Sequence, residues 1–369
     1  MRAAIFVGAQ RPFEVREYPV PAPPEGHAVV DLATSGICGT DVHIWDGAIA
    51  FHGPMILGHE FLGAVRAIGA GPALDCVGRP VSVGDRVAVN VIEACGACRL
   101  CREGGAASCL RLAESLTYTR TPDEPPHLHG GFAEGTVCPA RYLHRLPDEL
   151  PTDVAAAFLC AGPTVVRGLA YAGGVRQGET IVVQGGGPVG LWAVLHSGLL
   201  GAARVIVILS GSHPLRAELA RALGADAVLD IRTTTIEERR QAVLDATGGI
   251  GADMVIEGTG SPNAAPEGLA LLRPRGRAVW VGQYSDRGPT EIPTHLVTFN
   301  ALQVFGSAQF TVEDRSAYFD ALLGSRHAWD AVRRVVTHRF TIDQADEAIA
   351  TVRGGRAVKA VFASAPRVP

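Results

Sequence analysis

The chain has 369 residues, 47% of them apolar, and a net charge of −4. That length exceeds one ordinary core, so two domains are expected, and a charge so close to balance gives no footing for nucleic acid or an anionic membrane surface. No apolar run approaches the ~20 residues that span a bilayer, and Met1 to Phe13, broken by Gly8, Gln10 and Pro12, lacks the parts of a signal peptide, so a cytoplasmic protein is expected.

Ala3–Val7 and Phe13–Tyr18 read as strands, the second alternating with period two. Pro19 to Pro24 is a turn, and His27–Ser35 is a strand that delivers Cys38 at its end. Short strands punctuated by Gly and Pro predict a small β-barrel-like domain. The stretch Gly36-Ile37-Cys38-Gly39-Thr40-Asp41-Val42-His43 then packs a thiol, a hydroxyl, a carboxylate and an imidazole together, and His59 and Glu60 follow. Cys and His are the usual zinc ligands, and a catalytic zinc needs three plus an open position. A helical turn over Asp41–Asp46 would set Thr40 and His43 on one face, where they can carry protons. A lone histidine is more often structural, but His59 has Cys38, Thr40, His43 and Glu60 for company.

Phe61–Gly69 and Val83–Val89 return to strand. Cys95, Cys98, Cys101 and Cys109 follow, at spacings suited to wrapping a tetrahedral ion. With no base among them, the site reads as closed and structural. An iron–sulfur cluster also takes four thiolates, but nothing else in the chain suggests electron transfer. Cys76 and Cys138 are isolated and read as small buried hydrophobes. Tyr118–Gly131 is a Pro-, Thr- and His-rich loop whose His127 and His129 read as solvated or substrate-facing. Phe132–Val137 is a strand, and Asp153–Cys160 a helix capped by Thr152 or Asp153. Taken alone, Cys160 is an ordinary buried cysteine.

From about residue 162 strands and helices alternate, the mark of a parallel sheet. Thr180–Gln184 is a strand, Gly185-Gly186-Gly187-Pro188-Val189-Gly190 follows at once, and Leu191–Leu200 is a helix. In that setting the glycines are a dinucleotide fingerprint: a tight turn at Gly185, backbone approach to pyrophosphate at Gly187, close packing at Gly190, with the helix N-terminus favouring the phosphates. The next strand, Arg204–Ile208, runs into Leu209-Ser210-Gly211-Ser212-His213 without the acid that commonly reads the ribose 2′-hydroxyl of NAD. Ser210, Ser212 or Arg216 is available to a 2′-phosphate, which leans the reading to NADP over NAD. Helices at Pro214–Leu223, Ile236–Ala246 and Asn263–Leu272 alternate with strands at Met254–Glu257 and Ala278–Val281. After about Phe310 come a helix at Asp314–Leu323, a strand near Val336, a helix at Ile342–Val352 and a last strand at Val358–Phe362, a tail expected to return to the first domain.

These motifs together make the chain resemble, nearly end to end, the zinc-containing medium-chain dehydrogenases/reductases, the alcohol dehydrogenase family. The resemblance is carried by Gly36–His43, by Gly58-His59-Glu60-Phe61-Leu62-Gly63, by the four cysteines, by Leu159-Cys160-Ala161-Gly162-Pro163-Thr164-Val165 and by Gly185–Gly190. It implies an α/β architecture: a GroES-like β-barrel-type catalytic domain over 1–161 and 309–369, with a structural zinc lobe at about 92–112, and an inserted Rossmann domain, a doubly wound parallel sheet, over 162–308. It implies two zinc ions per chain, a catalytic one on Cys38, His59 and Cys160 and a structural one on Cys95, Cys98, Cys101 and Cys109.

Since Cys160 is present, where polyol dehydrogenases of the family use the carboxylate after the histidine, Glu60 is expected to support the site or bind only transiently. Asp41 would orient His59, and Thr40 and His43 would relay the proton of an alcohol oxidised reversibly to an aldehyde or ketone with NAD or NADP. A homodimer or homotetramer follows from the resemblance, with an alcohol or carbonyl as the only other partner. The 118–131 loop departs from the best-known members and resembles a bacterial subgroup. Trp45, Phe51, Phe158 and Tyr284 would line an apolar pocket for a bulky or cyclic secondary alcohol. The alternatives are a biosynthetic NADPH-dependent carbonyl reductase and a non-catalytic nucleotide-binding relative. The intact ligand and relay set argues against the last, and against a zinc-independent enoyl or quinone reductase of this fold.

Overall fold

In the computed structural model, which describes residues 1–51, 53–90, 94–112 and 119–364, the chain divides into two units, Met1–Cys160 with the tail from Val336, and Ala161–Val335. The first begins with β1 (Arg2–Phe6), β2 (Glu14–Glu17) and the long β3 (His27–Ile37). α1 (Gly39–Asp46) follows directly. Its first turn is closed by the Asp41 carboxylate, which accepts the Cys38 amide at 2.8 Å, and it ends at Gly47 in the left-handed conformation. β4 (Met55–Ile56), β5 (Glu60–Ile68), β6 (Arg86–Val89), the short α2 (Arg99–Arg102), β7 (Gly135–Pro139), β8 (Leu143–Arg145) and α3 (Thr152–Ala156) complete this part of the chain.

The second unit holds α4 (Ala161–Tyr171), β9 (Thr180–Gln184), α5 (Pro188–Leu199), β10 (Arg204–Leu209), α6 (Pro214–Ala222), β11 (Ala227–Asp230), α7 (Ile236–Ala246) and β12 (Ala252–Glu257). α8 (Ala264–Leu271), β13 (Leu272–Trp280), α9 (Thr294–Phe299), β14 (Gln303–Gly306), α10 (Val312–Gly324) and α11 (Trp329–Val335) follow. Its six strands are all parallel, in the order β11-β10-β9-β12-β13-β14. The first strand of the unit is central and the order reverses beside it, which makes the sheet doubly wound and puts ligands at the carboxyl ends of the strands. β9 is apolar and buried because helices cover both faces of such a sheet.

The tail returns as β15 (Val336–Phe340), α12 (Ala345–Arg353) and β16 (Lys359–Ala363). β16 lies antiparallel to β3, with Ala360 opposite Ile37 and Val361 opposite Gly36, in the sheet β15-β16-β3-β5-β6-β8. A smaller sheet, β2-β1-β4, packs into the same apolar core through Ile5, Phe6, Met55 and Ile56.

Several expectations shift. The chain rejoins the first unit at Val336 and not near 309. The reason is packing: α10 lies on α4 and α11 on α6, with Tyr318 edge-on to Trp192 at 4.9 Å. The helix expected through Cys160 stops at Ala156, with Pro151 as its N-cap. The strand expected from Phe132 begins at Gly135. β11, α9, β14 and α11 were not foreseen, since each is short and weakly patterned. Of the 118–131 loop, Tyr118 lies outside the described residues. His127 stacks on Tyr18 at 5.2 Å, and His129 is buried, which pushes its pKa down to about 4. Both histidines are therefore packed, not solvated. Cys138 is buried, as expected, and burial pushes its thiol up to about 12.

Candidate functional site

β3 ends at Ile37, so Cys38 sits where the strand turns into α1, and β5 starts at Glu60, so His59 and Glu60 sit where the neighbouring strand begins. β3 and β5 are antiparallel, with Gly36 opposite Glu60, which brings the two sequence motifs side by side. Cys160 arrives from the end of the first unit. The ligand atoms of Cys38, His59, Glu60 and Cys160 all lie within 4.8 Å of one another. Zn–S bonds of ~2.3 Å in a tetrahedron imply sulfur–sulfur edges of about 3.8 Å, so two thiols and an imidazole at this spacing fit a zinc ion.

The charges around the cluster are strongly coupled. The Cys38 thiol is held well below the usual range, first by its hydrogen bond with Cys160 and then by His59. Burial opposes a charge on His59, but Asp41 and Cys38 outweigh it and raise its pKa well above the ordinary value. Asp41 Oδ1 stands 3.5 Å from His59 Nδ1. A metal ion held here would displace the proton of the ring nitrogen it engages, not the one directed at Asp41, since ligands bind deprotonated. Thr40 Oγ1 lies 3.7 Å from Cys38 Sγ, and His43 is half-buried one turn further along α1.

Glu60 differs from the other three donors. Its Oε1 takes a 2.6 Å hydrogen bond from Lys359 Nζ, which also donates to the Ile37 carbonyl at 3.2 Å. Both side chains are buried. Burial raises the Glu60 pKa while Lys359 opposes that rise. Cys38, His59 and Cys160 supply two thiols and an imidazole, the three-donor pattern of a catalytic zinc site, with the Glu60 carboxylate beside them and its Oε1 held by Lys359. Sequence reasoning missed Lys359. A signal was available: of 33 lysines and arginines in the chain, it is the one lysine, and it stands in an apolar strand.

The second cluster is self-contained. The Sγ atoms of Cys95, Cys98, Cys101 and Cys109 also lie within 4.8 Å of one another, with Cys98–Cys101 at 3.4 Å and Cys95–Cys101 at 4.0 Å. The Cys101 amide donates to Cys98 Sγ at 3.5 Å, and backbone amides, that of Cys101 foremost, bring the Cys98 thiol down to about 6. Four thiols near a tetrahedral edge length, with amides aimed at them, fit a structural zinc.

In the second unit Gly185 ends β9 with φ +120°, and a Cβ on Gly190 would lie 2.0 Å from the Gly185 carbonyl oxygen, so α5 can approach the strand only with glycine there. Gly187 is the N-cap of α5 and Pro188 its first residue. A Cβ on Gly187 would meet nothing within 4 Å, which leaves its backbone open to a pyrophosphate. Val189 packs against Gly258, and Arg216 lies beside Gly186. Ser210 and Ser212 flank Gly211 at the end of β10.

Residues 24–148 match the alcohol dehydrogenase GroES-like domain, and residues 188–324 match the zinc-binding dehydrogenase domain. The chain belongs to the zinc-containing medium-chain dehydrogenase/reductase family. It is a zinc-dependent oxidoreductase of the alcohol dehydrogenase type that works with a nicotinamide cofactor. It is 35% identical over 371 residues to 5-exo-hydroxycamphor dehydrogenase from Pseudomonas putida, with 98% of each chain covered. Its fold superposes on an alcohol dehydrogenase from Thermotoga maritima with a TM-score of 0.90, at 28% identity and 98% coverage of both chains. A zinc-binding dehydrogenase from Sinorhizobium meliloti bound to NADP gives 0.84 at 25% identity, covering 98% of this chain and 99% of that one.

The residues expected to wall a substrate pocket are not gathered in one unit. Trp45, Phe51 and Phe158 belong to the first and Tyr284 to the second. Trp45 donates its indole N–H to the Arg11 carbonyl at 3.1 Å and lies under the Arg353 guanidinium. Phe158 is fully buried. Tyr284 is exposed and its hydroxyl accepts from Gln309 at 3.0 Å.

Proposed function

We propose that this dehydrogenase oxidises a secondary alcohol, bulky or cyclic, reversibly to its ketone, with a zinc ion on Cys38, His59 and Cys160 and a dinucleotide on the Gly185–Gly190 turn. The observation that carries the reading is the convergence of Cys38, His59 and Cys160, whose ligand atoms lie within 4.8 Å of one another, supported by Lys359 holding Glu60 Oε1. When bound, the zinc supplies Lewis acidity at the substrate oxygen and the nicotinamide a hydride acceptor. Thr40 takes the hydroxyl proton of the substrate and His43, on the same helical face, passes it towards water. Asp41 holds the His59 ring so that its other nitrogen faces the metal, and Glu60 with Lys359 keeps the floor of the site neutral. Cys95, Cys98, Cys101 and Cys109 hold a second, structural zinc.

The preference for a bulky, cyclic substrate is supported by the relative named for a hydroxycamphor. Gly187 and the N-terminus of α5 would meet the pyrophosphate, and Arg216 stands where the adenosine ribose or a phosphate would lie. A homodimer or homotetramer is supported by β14, an outer strand with exposed residues, beside α9, where Phe299 is 89% exposed.

The test is a panel of cyclic, aliphatic and aromatic secondary alcohols on zinc-loaded protein with NAD and with NADP, followed by nicotinamide absorbance, alongside Cys38→Ala. Turnover with a cyclic alcohol, abolished in Cys38→Ala while the circular dichroism is retained, supports the reading. Near-normal turnover in Cys38→Ala removes Cys38 from the metal site.

A further inference from the structure

β10 ends in Leu209-Ser210-Gly211 with no acid, yet a carboxylate stands there. β10 and β11 pair in parallel with Leu209 opposite Asp230, so the last residue of β11 lies beside the last residue of β10. Asp230 Oδ1 accepts the Gly211 amide at 3.0 Å and the Arg232 amide at 3.0 Å. Its Oδ2 accepts from Arg232 Nη2 at 2.8 Å. A Cβ on residue 211 would fall 2.3 Å from Asp230 Oδ2. The carboxylate therefore stands, with Arg232 Nη2 beside it at 2.5 Å from the same point, in the space into which a side chain at position 211 would project.

The neighbours make this edge the ribose end of the dinucleotide turn. A Cβ on Gly186, inside the fingerprint, would lie 3.0 Å from Leu209 and 3.1 Å from Arg216 Cβ, so the glycine turn, the end of β10 and the start of α6 line one surface. A carboxylate at the end of the second strand of a dinucleotide sheet reads a ribose 2′-hydroxyl, which can donate to it. A 2′-phosphate cannot donate, and it brings negative charge against the carboxylate. Arg232 turns Nε and Nη2 onto the Asp230 carboxylate, and the Arg232→Ala variant separates its charge from that of the acid. The pairing and the Gly211 amide also hold the carboxyl well below its ordinary range, with the Arg232 hydrogen bond as the main cause.

We infer that Asp230, carried on the neighbouring strand, replaces the acid missing from β10 and makes the site selective for the unphosphorylated dinucleotide. This reverses the lean to NADP drawn from the bare sequence, and it rests on the dinucleotide reading of the Gly185–Gly190 turn.

The experiment is equilibrium titration of the zinc-loaded, full-length protein with NADH and with NADPH, read by nucleotide fluorescence, for the wild type, Asp230→Asn and Arg232→Ala. Asparagine keeps the shape and an acceptor for the Gly211 amide, so the loop is retained. The expected wild type binds NADH at least ~10-fold tighter than NADPH, which is about 1.4 kcal/mol. Asp230→Asn should narrow that ratio towards one, and Arg232→Ala, with the carboxylate intact, should keep it. Tighter NADPH binding by the wild type, or an unchanged ratio in Asp230→Asn, overturns the assignment. An equal loss of selectivity in both variants also overturns it, by showing that the ion pair only shapes the loop. Failure of both nucleotides to bind any of the three proteins removes the dinucleotide reading itself.

Discussion

Lys359 Nζ lies 2.6 Å from Glu60 Oε1, with both side chains buried at the floor of the Cys38–His59–Cys160 cluster. A buried pair of this kind contributes little over an apolar replacement, but removing one partner strands the other charge. Lys359→Met should therefore destabilise the zinc-loaded protein by about 3–5 kcal/mol, and adding Glu60→Gln should recover a large part of that. Urea denaturation of the two variants decides it. A single variant within about 0.5 kcal/mol of wild type, the size of an ordinary surface change, would mean that the pair carries no such strain.

The two cysteine-bearing clusters should load separately. Metal analysis is expected to find about two zinc ions per chain, and about one in Cys98→Ser, since a closed four-thiolate site does not survive the loss of a ligand. The remaining ion should be lost from Cys38→Ala and not from Cys98→Ser. A wild-type content of one, or iron in place of zinc, would break the two-site assignment.

If the proposed relay runs from Thr40 through His43, removing the imidazole from α1 interrupts it. His43→Ala should slow turnover by roughly 10- to 100-fold near neutral pH, at the low end of acid–base effects because water substitutes in part. An unchanged rate together with an unchanged pH profile would put the relay elsewhere.

His196, on α5, is buried and stacked on Trp192 at 5.3 Å, and burial lowers its pKa to about 4. The unfolded chain takes up this proton near pH 6.5, the folded one only near 4. Between those values the unfolded state holds more protons, so stability falls as the pH falls, by up to about 1.4 kcal/mol per pH unit for one such group. His196→Phe should show a flatter decline of denaturation midpoint between pH 6.5 and 4, whatever its absolute stability. A slope equal to that of wild type would mean the histidine is charged in the fold.

If copies of the chain meet along β14, charge placed there should separate them. Phe299→Asp with Val304→Lys is expected to lower the sedimenting mass to that of one chain, both positions being exposed. A wild-type protein that already sediments as a monomer would refute the interface.

The four-cysteine motif and the glycine turn were legible in the chain because their geometry is local. Cys95, Cys98 and Cys101 are brought together across two-residue gaps, and Gly185, Gly187 and Gly190 lie within a single strand–turn–helix. The alternation after residue 162 showed the parallel sheet for the same reason: each strand and helix carries its own period. Cys160 was different, since by itself it reads as a core residue and only its resemblance to a family pattern marked it.

What the tertiary structure alone decided are relations between distant segments. Lys359 meets Glu60 across 299 positions because β16 pairs with β3, a register set by strands far apart in the chain. Asp230 reaches Gly211 because β11, four half-buried residues too short to show a period, happens to lie parallel to β10. The return of the chain at Val336 rested on helices packing against other helices. Sequence patterns record what a residue asks of its near neighbours, whereas the charge that neutralises Glu60 and the acid that stands at the end of β10 come from strand pairing, which local patterns do not encode.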